Sequence, residues 1–446
     1  MFEKKKILIL GMARSGYEAA KLLTEHQNKI VVNDMDENQN EEHVKELEAL
    51  GVSVILGGHP EDLLDDSYDY LIKNPGIRND HIYVKKAESL KIPVINEIEM
   101  AYHLLPKDID IVGVTGSNGK TTTTTLIYEV LKCGKRNVFF AGNMGYPLST
   151  YVNQIKSGDI VVMEISAQQL YNFKDFKTTV SVLTNLVPAH IDFFGDYETY
   201  QKYKKDIFKH HTAKNYAILN HEDETVMKLT EDIKSKKLYF SSKQEIKGAY
   251  LKENAIYYND EKIMDTDEII LTGNHNYENM MCALLVGKIF KINQEDICRV
   301  FRDFRGVEHR LEYVKKLNGR EIYNDSKATN VKATQIALSA FQDKPVNLIL
   351  GGYDRGHSFD ELEPYMNQVK NVFCLGATKE RIKAFCDKID KPCYVLDTIE
   401  EATKAAYNTS EEGDVILLSP ACASWDQYKC FEDRGEDFKR VINELE

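Results

Sequence analysis

The chain has 446 residues, of which 43% are hydrophobic and 28% are charged, and only ten are prolines. This composition is typical of a soluble globular protein and excludes a largely disordered one, and the length predicts about three domains at roughly 150 residues each. A formal net charge of −13 argues against a broad nucleic-acid-binding or anionic-membrane surface, although a local basic pocket stays compatible with it.

The N-terminus predicts neither secretion nor a membrane span. The hexapeptide MFEKKK leads into the short apolar run 7–10, which is shorter than the apolar core of a signal peptide or of a transmembrane helix. We therefore expect a cytoplasmic protein. The eight cysteines form no CxxC pair, a pattern typical of reduced structural thiols, so we expect no zinc site.

The first hundred residues alternate between strand-like and helix-like segments. Strands are predicted at the short apolar runs 7–10, 30–33, 52–56, 70–72 and 94–95. Helices are predicted between them at 15–25 and 41–50. This βαβ rhythm predicts a parallel sheet. The turn sequence LLPKD at 104–108 ends the pattern, so the first domain is predicted at 1–105.

A second α/β series begins after that turn. Its predicted strands are 109–114, 160–165, 180–185 and 216–220. Two further apolar runs, 249–251 and 255–258, flank the turn residues 252–254 and predict a β-hairpin. Helical patterns return after Gly273, and the central domain is predicted at 106–306.

The pattern begins a third time near Gly306. Strands are predicted at 321–324, 346–350, 372–375, 393–396 and 415–419. A helix is predicted at 330–340, and the C-terminal domain at 307–446. The predicted fold class is therefore α/β, with three consecutive α/β domains.

Residues 113–120 read GVTGSNGK and run into five threonines. A strand, a glycine-rich turn and a lysine at the mouth of a helix form an anion site, because backbone N–H groups and the helix dipole face the phosphates. Lys120 supplies a positive charge, and Thr121 supplies a hydroxyl that can reach Mg²⁺. Val114 stands where the strict P-loop spacing requires glycine. Threonines also fit a strand-turn-strand, but the helical pattern at 126–131 favours nucleotide binding.

Two polar side chains follow apolar strands of the central domain. Glu164 places a carboxylate at the carboxyl edge of the predicted sheet, where doubly wound folds bind ligands, and a carboxylate suits Mg²⁺ beside phosphates. His190 follows the next strand and is a candidate metal ligand. For Glu164 alone, a solvated glutamate at a strand end is the more common interpretation. For His190, its place at a strand end after Glu164 favours the ligand interpretation.

Several motifs together resemble the Mur ligases, a family of ATP-dependent amide-forming enzymes that build the peptidoglycan stem peptide. TGSNGKTT at 115–122 is similar to the family's ATP loop, EISAQQL at 164–170 to its ELSSFQL segment, and NLVPAHID at 185–192 to its NLxxDHxD motif. Ala189 stands where the family often has aspartate. The resemblance implies an N-terminal Rossmann-like UDP-binding domain, a central P-loop-type ATPase and a C-terminal Rossmann-like domain.

The resemblance also implies where ATP binds. Asn279 in GNHNYEN would meet the adenine, Arg310 in GVEHRLE the phosphates, and Asp325 in NDSKATN the ribose. The full set of implied ATP contacts is Gly116, Ser117, Asn118, Gly119, Lys120, Thr121, Thr122, Asn279, Arg310 and Asp325.

Two Mg²⁺ ions are implied beside the ATP, and their implied ligands are Thr121, Glu164, His190 and Lys204. The resemblance aligns Lys204 with a lysine that these ligases carbamylate, which converts a cation into an oxygen ligand. Lys202 and Lys205 are adjacent alternatives if the alignment slips by register. A solvated basic helix face is the ordinary interpretation of such a lysine-rich stretch.

The C-terminal motifs resemble those of the D-glutamate-adding members of the family. These motifs are NDSKATN at 324–330 and SPACASWDQYKCF at 419–431, whereas the DNPR-type signature of relatives that add diaminopimelate or lysine is absent. The implied D-glutamate contacts are Lys327, Thr329, Arg355, Ser424 and the backbone at Phe431. Arg355 stands where many members carry lysine, which keeps the charge and changes the geometry.

Residues 11–16 read GMARSG, a GxAxxG variant of the dinucleotide-binding fingerprint, and Asp34 ends the second strand at the spacing of a ribose contact. Taken alone, this pattern suggests a dehydrogenase. The resemblance implies instead that the loop holds the UDP of a UDP-sugar substrate. The implied substrate contacts are Arg14, Ser15, Asp34, Asn74, Gly76, Asn143, Ser166, Gln169 and His190.

The function that the resemblance implies is ATP-dependent addition of D-glutamate to UDP-N-acetylmuramoyl-L-alanine through an acyl phosphate. Lys120, His190, Lys204 and Lys327 would be its catalytic residues, and the last domain would close about Gly306. We expect a monomer that binds these small-molecule substrates but neither nucleic acid nor a membrane. Three alternatives stay open, namely a folylpolyglutamate synthase, a nicotinamide dehydrogenase and a nucleotide-gated binding module.

Overall fold

The computed structural model describes residues 1–341, 344–356 and 358–445. The chain divides into two compact units, Met1–Asp303 and Phe304–Glu446. The first unit contains two β-sheets and the second contains one, and helices alternate with the strands along the chain. The predicted α/β class is confirmed.

The first sheet consists of five parallel strands, β1 (Lys6–Leu10), β2 (Lys29–Asn33), β3 (Ser53–Ile55), β4 (Tyr70–Lys73) and β5 (Val94–Ile95). Their order is β3-β2-β1-β4-β5. The accompanying helices are α1 (Ala13–Thr24), α2 (Glu41–Ala49), α3 (Ile82–Ser89) and α4 (Glu97–Tyr102). The apolar run of β1 is fully buried, as expected for a central parallel strand that is covered on both faces.

The second sheet has nine strands, β6 (Asp110–Thr115), β7 (Val138–Gly142), β8 (Ile160–Glu164), β9 (Val180–Leu183), β10 (Tyr216–Asn220), β11 (Lys236–Ser241), β12 (Ala249–Lys252), β13 (Ala255–Tyr258) and β14 (Glu261–Asp265). Their order is β14-β13-β12-β11-β10-β9-β6-β8-β7. Only the β12-β13 and β13-β14 pairs are antiparallel, so the predicted hairpin is confirmed.

The helices of this region are α5 (Lys120–Lys132), α6 (Ala167–Leu170), α7 (Ile191–Phe194), α8 (Tyr197–Lys205), α9 (Glu224–Leu229), α10 (Asn274–Ile289) and α11 (Gln294–Asp303). All five threonines of the run lie in α5, so the strand-turn-strand alternative is wrong. The hydroxyls of Thr124 and Thr125 donate to the carbonyls of Lys120 and Thr121, at 2.7 and 2.9 Å. These bonds to the preceding turn satisfy the hydroxyls inside the helix, in spite of the β preference of threonine.

The sheet of the second unit has six strands, β15 (Glu312–Leu317), β16 (Arg320–Asn324), β17 (Val346–Gly351), β18 (Val369–Leu375), β19 (Cys393–Val395) and β20 (Val415–Leu418). Their order is β15-β16-β20-β17-β18-β19, and all pairs except β15-β16 are parallel. The helices are α12 (Val331–Ser339), α13 (Lys379–Lys388), α14 (Ile399–Thr409) and α15 (Phe431–Glu444).

Short 3₁₀ turns complete the secondary structure at Leu148–Tyr151, Asp206–Phe208, Thr266–Glu268 and Asp360–Tyr365. Each sheet lies within one of the three predicted domains, while the boundaries of those domains stay predictions because the first two sheets share one compact unit. None of the described helices is both long enough and apolar enough to cross a membrane.

A buried carboxyl group connects α4 to the 3₁₀ turn Leu148–Tyr151. Glu97 is 4% exposed, and its Oε1 accepts a hydrogen bond from the Ser149 N–H at 2.6 Å. Burial raises the pKa of Glu97 to about 7, because the low-dielectric surroundings disfavour the carboxylate. Folding therefore favours the protonated form of this side chain.

We expect Glu97→Gln to gain thermal stability relative to the wild type as the pH rises. The wild type has the full contribution of the protonated Glu97 below pH 4.5 and loses it as the pH rises through about 7. The penalty above that pH is on the order of 3 kcal/mol, and the neutral glutamine avoids it while it keeps an acceptor for Ser149. The measurement is the difference in unfolding midpoint between variant and wild type from pH 4.5 to 8.

The matched control is Glu88→Gln, since Glu88 is an exposed carboxylate on α3. Its difference from the wild type should stay flat over the same pH range. A flat difference for Glu97→Gln as well would show that the carboxyl of Glu97 ionises in the folded protein at its ordinary pH.

Candidate active site

The glycine-rich loop 116–119 joins the carboxyl end of β6 to the N-terminus of α5. Gly119, the N-cap of α5, has a φ of 78°, and Gly116 has a φ of 146°. A Cβ atom on Gly116 would lie 2.0 Å from the Thr184 hydroxyl oxygen, and one on Gly119 would lie 2.7 Å from Asn279 Oδ1. Both positions therefore require glycine, and the loop presents its backbone N–H groups beside the positive end of the helix dipole.

The segment that follows β9 holds this loop in place. The Thr184 hydroxyl donates to the Asn118 carbonyl at 2.6 Å, and the Asn118 N–H donates to Asn185 Oδ1 at 2.9 Å. The Ser117 hydroxyl also lies 3.0 Å from the Tyr200 hydroxyl. Sequence reasoning did not select Thr184, Asn185 or Tyr200. The signal for the first two was their place directly after β9, which pairs with β6.

Lys120 points its amino group back over the loop. Its Nζ donates to the carbonyls of Gly116 and Ser117, both at 2.9 Å. The same side chain lines a cavity of about 600 Å³ in the first unit. The ammonium group of Lys120 at the mouth of the helix therefore borders the cavity that an anionic ligand would enter.

Glu164 lies at the carboxyl end of β8 and is 2% exposed. Its Oε2 accepts a hydrogen bond from the Thr121 hydroxyl at 2.7 Å, and its Oε1 accepts one from the Asn143 amide at 2.7 Å. A buried carboxylate beside the hydroxyl of Thr121, at the start of α5, offers the oxygen ligands that Mg²⁺ prefers. These residues therefore fit a magnesium ion.

Lys204 is nearly inaccessible, at 1% exposure, and its Nζ donates to the Thr115 hydroxyl at 2.8 Å and to the Gly116 carbonyl at 2.9 Å. Burial, followed by repulsion from Lys120, holds the pKa of Lys204 well below its usual range. The two alternative lysines of the same helix are not buried in this way, and Lys202 is exposed. Lys205 pairs with Asp232 at 2.7 Å.

His190 begins α7 in a left-handed backbone conformation, with a φ of 53°. Its side chain is exposed and lines the same cavity as Lys120 and Lys204. A non-glycine residue in this region is uncommon and often marks a functional position. The structure therefore brings together three of the four residues predicted to be catalytic.

Eight of the nine predicted UDP-substrate residues line this same cavity, and we call them its UDP-side wall. Those that line it are Arg14, Ser15, Asn74, Gly76, Asn143, Ser166, Gln169 and His190. Asp34 does not line it; its Oδ2 accepts from the Met12 N–H at 2.6 Å, so this carboxylate fixes the glycine-rich loop of β1. One cavity thus connects the first two predicted domains.

Hydrogen bonds between loops shape this wall. Arg14 Nη1 donates to the Gly145 carbonyl at 3.0 Å, and the Asn74 amide donates to the Ser15 hydroxyl at 3.1 Å. Ser166 and Gln169 form a reciprocal capping box at the start of α6. These bonds within the chain hold the loops of this wall in position.

Two buried ionisable residues beside this wall were not selected from the sequence. Glu97 lines the cavity, and Lys73, at 1% exposure, donates from Nζ to the Ile77 carbonyl at 2.6 Å. Burial lowers the pKa of Lys73 to about 8. The sequence held only a weak signal for either residue. Lys73 is a charged residue at the end of an apolar strand, and Glu97 comes shortly after one.

Asn279 lies in α10, and its Oδ1 accepts from the Thr123 hydroxyl at 2.9 Å. A Cβ atom on Gly119 would lie 2.7 Å from Asn279 Oδ1, so this amide packs against the glycine-rich loop 116–119. Thr122 lies between these contacts on α5 and is half-buried.

In the second unit, Asp325 follows β16 and is 5% exposed. Its Oδ2 accepts from the Ser419 hydroxyl at 2.7 Å, and its Oδ1 accepts from the Leu311 N–H at 3.1 Å. Burial raises the pKa of Asp325 to about 7. The exposed Arg310 precedes Leu311, so the predicted ribose and phosphate contacts are neighbours.

Lys327 lies close to the N-terminus of α15. Its Nζ is 5.6 Å from the centre of the Phe431 ring, and its N–H donates to the His309 carbonyl at 2.9 Å. The adjacent Ser326 hydroxyl donates to the Phe431 carbonyl at 2.8 Å, and the buried Arg434 donates to that hydroxyl at 3.0 Å. This network orients the strand end that carries Lys327.

Thr329 and Arg355 line a small cavity in the second unit. The Arg355 guanidinium lies 4.5 Å from the centre of the Trp425 ring. Ser424 is 2% exposed, and its hydroxyl has no hydrogen-bond partner among the described residues. Phe431 is the first residue of α15. The N-cap residue of this helix, Cys430, makes no side-chain hydrogen bond to the helix N-terminus. A guanidinium group and a helix N-terminus are each suited to bind a carboxylate.

Comparison with known proteins gives the same assignment along the whole chain. Residues 5–96 match the Mur ligase MurD-like N-terminal domain, 114–287 the Mur ligase middle domain, and 309–422 the Mur ligase glutamate ligase domain. Curated relatives include the UDP-N-acetylmuramoylalanine--D-glutamate ligase of Geobacillus sp. (strain WCH70), which is 44% identical over 447 residues. The same-named protein of Lactococcus lactis subsp. cremoris (strain MG1363) is 42% identical over 444 residues.

Both of these alignments cover 100% of this chain and 98% of the relative. Among solved structures, the UDP-N-acetylmuramate-alanine ligase MurC from Thermotoga maritima aligns with a TM-score of 0.59 at 17% identity, over 99% of this chain and 100% of that one. MurF from Acinetobacter baumannii aligns with a TM-score of 0.58 at 13% identity, over 94% and 92%. The structural likeness supports the fold, and the sequence identity over the full length places the chain in the Mur ligase family.

Proposed function

We propose that this chain is an ATP-dependent ligase that adds D-glutamate to UDP-N-acetylmuramoyl-L-alanine through an acyl phosphate, in peptidoglycan precursor synthesis. The observation that carries the proposal is the cavity of about 600 Å³ in the first unit. It is lined by the UDP-side residues Arg14 and Ser15 and by the phosphate-side residues Lys120 and Lys204. A sugar-peptide acid and a triphosphate can therefore meet end to end in one cavity.

In the first step, the alanine carboxylate attacks the γ-phosphate of ATP, ADP leaves, and an acyl phosphate forms. The loop N–H groups and the Lys120 ammonium neutralise charge on the transferred oxygens, which is catalysis by positioning and electrostatics. Lys120 must leave its own loop carbonyls, Gly116 and Ser117, to contact the phosphates. Asn279, Arg310 and Asp325 would hold the rest of the nucleotide.

Mg²⁺ would supply positive charge that stabilises the negative charge of the phosphate groups. Thr121 and Glu164 would hold one ion, since their oxygens already lie 2.7 Å apart. His190 and a carbamylated Lys204 would hold a second ion beside them. The number of ions is part of the proposal.

The burial of Lys204 supports its carbamylation. A depressed pKa increases the fraction of neutral amine, and the neutral amine adds CO₂ to give a carbamate and a proton. Lys120 lies close enough to lower that pKa, and the same charge would stabilise the carbamate anion.

In the second step, the amine of D-glutamate attacks the acyl phosphate, phosphate leaves, and an amide forms. The Ser424 hydroxyl, the N-terminus of α15 at Phe431 and Arg355 would bind the γ-carboxylate of glutamate. Lys327 would contact the reacting phosphate, and Thr329 would lie near the amino acid. Closure about Gly306 remains a prediction.

The open alternatives explain fewer residues. A folylpolyglutamate synthase has no need of the UDP-side wall with Arg14 and Asn74, and a nicotinamide dehydrogenase leaves Lys120 and Glu164 unused. A nucleotide-gated binding module would not need Glu164, His190 and Lys204 together. We also propose a cytoplasmic location, because the substrates are cytoplasmic precursors, and a monomeric state.

We expect Lys120→Ala to lower the ligase rate by at least a factor of 10³ while the protein stays folded, because one oxyanion-stabilising group typically contributes about 10²–10³ in rate and Lys120 also positions ATP. The measurement is phosphate release with Mg-ATP, UDP-N-acetylmuramoyl-L-alanine and D-glutamate, with L-glutamate and a pteroyl acceptor as substrate controls. Lys132→Ala, at the exposed end of the same helix, should keep the wild-type rate. Wild-type activity in Lys120→Ala would contradict the assigned role of the loop.

We expect the protein to carry one carbamate, on Lys204. The protein equilibrated with ¹³C-bicarbonate should give a single carbamate carbon resonance, and this resonance should be missing in Lys204→Ala. Lys205→Ala is the matched control, since Lys205 is the adjacent lysine and pairs with Asp232 instead. A resonance that survives Lys204→Ala and disappears in Lys205→Ala would move the assignment by one residue.

We expect Ser424→Ala to raise the KM for D-glutamate about 10- to 100-fold with little change in the KM for ATP, because a hydrogen bond to a charged group contributes about 1.5–3 kcal/mol. The hydroxyl has no partner among the described residues, so its removal should not lower the unfolding midpoint. Ser339→Ala, on the exposed face of α12, should change neither quantity. An unchanged KM for D-glutamate in Ser424→Ala would remove Ser424 from the binding site.

A further inference from the structure

Three of the eight cysteines gather in the second unit, although they are distant in sequence. Cys374 lies near the end of β18, Cys393 begins β19, and Cys386 lies in α13. The sulfur atoms of Cys374 and Cys393 are 3.5 Å apart. Cys386 is close enough to interact electrostatically with Cys393. The fold thus creates a dithiol that the spacing of the cysteines in sequence does not indicate.

The pair can be reached from one side. Cys374 is fully buried, but Cys393 is half-buried and lies on β19, the edge strand of the six-stranded sheet. The next two residues of β19, Tyr394 and Val395, are exposed, at 43% and 39%. A small reagent can therefore meet Cys393 first and reach Cys374 after a small displacement of the edge strand.

The separation of the two sulfurs favours a bridging atom over a disulfide. The register of β18 and β19 pairs Val372 with Cys393 and Cys374 with Val395, so the two cysteines are offset by two residues along the strands. A disulfide requires sulfurs about 2.05 Å apart, and such an offset holds the main chains away from that geometry. Two bonds of about 2.3 Å, the length of a zinc–thiolate bond, that meet at about 100° separate their sulfurs by about 3.5 Å.

We propose that Cys374 and Cys393 form a binding site for a trivalent thiophilic centre, with trivalent arsenic as the ligand class. An organoarsenic dihydroxide condenses with the two thiols, so two As–S bonds form, two As–O bonds break, and each hydroxyl leaves as water with a thiol proton. Arsenic stays trivalent throughout, and no oxidant is needed.

The chemistry of the surroundings favours this condensation over reactions that need a thiolate. The contact with Cys393, together with burial, raises the pKa of the Cys374 thiol. Attack on peroxide and binding of soft divalent ions both proceed through thiolates, which burial disfavours. The arsenic adduct carries no net charge, so its formation buries no ion.

Cys374 lies close to a segment that lines the small cavity of this unit. Cys374 Sγ is 3.5 Å from the carbonyl of Lys379, the first residue of α13. The preceding residue, Thr378, lines the cavity with Thr329 and Arg355, and its hydroxyl donates to the Gly352 carbonyl at 3.2 Å. The site is therefore separate from the cavity but is joined to it by one short loop.

The test uses phenylarsine oxide with the native full-length chain and intact-protein mass spectrometry. We expect one phenylarsenic adduct per chain that resists washing with a monothiol, 2-mercaptoethanol, and is removed by a dithiol, dithiothreitol. The adduct should be lost in Cys393→Ser and in Cys374→Ala. Cys430→Ser is the control, because Cys430 is a half-buried thiol outside this cluster, and that variant should keep the adduct.

Circular dichroism and the unfolding midpoint verify that each variant is folded. If Cys374→Ala fails to fold, the half-buried Cys393→Ser decides the result alone. The proposal is wrong if the wild type carries no monothiol-resistant adduct, or if Cys393→Ser carries the same adduct as the wild type. An adduct that persists in Cys374→Ala but is lost in Cys386→Ala would assign the site to Cys386 and Cys393 instead and would also overturn it.

Discussion

The burial of two ionisable side chains, Lys204 and Glu164, against the glycine-rich loop 116–119 and the start of α5 is the constraint on which the rest of this site depends. Lys204 bonds to Thr115 and Gly116 from below the loop, and Glu164 bonds to Thr121 at the start of the helix. Neither group is solvated, so both must be satisfied by the loop or by what the loop binds. The tight conformation of Gly116 and the position of Lys120 follow from this arrangement.

The same constraint links the two walls of the cavity. The Asn143 amide donates to Oε1 of Glu164, and Asn143 also lines the cavity. The carboxylate that fits a magnesium ion therefore contacts a residue that is also a candidate substrate contact. Arg14 reaches across to the Gly145 carbonyl in the same segment. Lys120, at the end of the glycine-rich loop, therefore borders the same cavity as Arg14 and Asn143.

The features that could be predicted from the sequence are local ones. The βαβ rhythm, the helix after Lys120 and the carboxylate at the end of β8 each follow from a few adjacent residues. The missed features depend on residues far apart in the chain. Thr184 and Asn185 acquire a role only because β9 pairs with β6. The resemblance implies Lys204, but what separates it from Lys202 and Lys205 is the direction that its helix position gives it. Cys374 and Cys393 meet only because β18 and β19 are neighbours.

The central claim is that the substrate carboxylate attacks ATP directly within this cavity. The most direct measurement uses UDP-N-acetylmuramoyl-L-alanine labelled with ¹⁸O in the alanine carboxylate, and mass analysis of the inorganic phosphate released with D-glutamate present. We expect one ¹⁸O atom in each phosphate, because an acyl phosphate keeps a carboxylate oxygen on phosphorus when the amine displaces it. Unlabelled phosphate, formed together with the amide product, would contradict direct attack and the end-to-end arrangement of the two substrates.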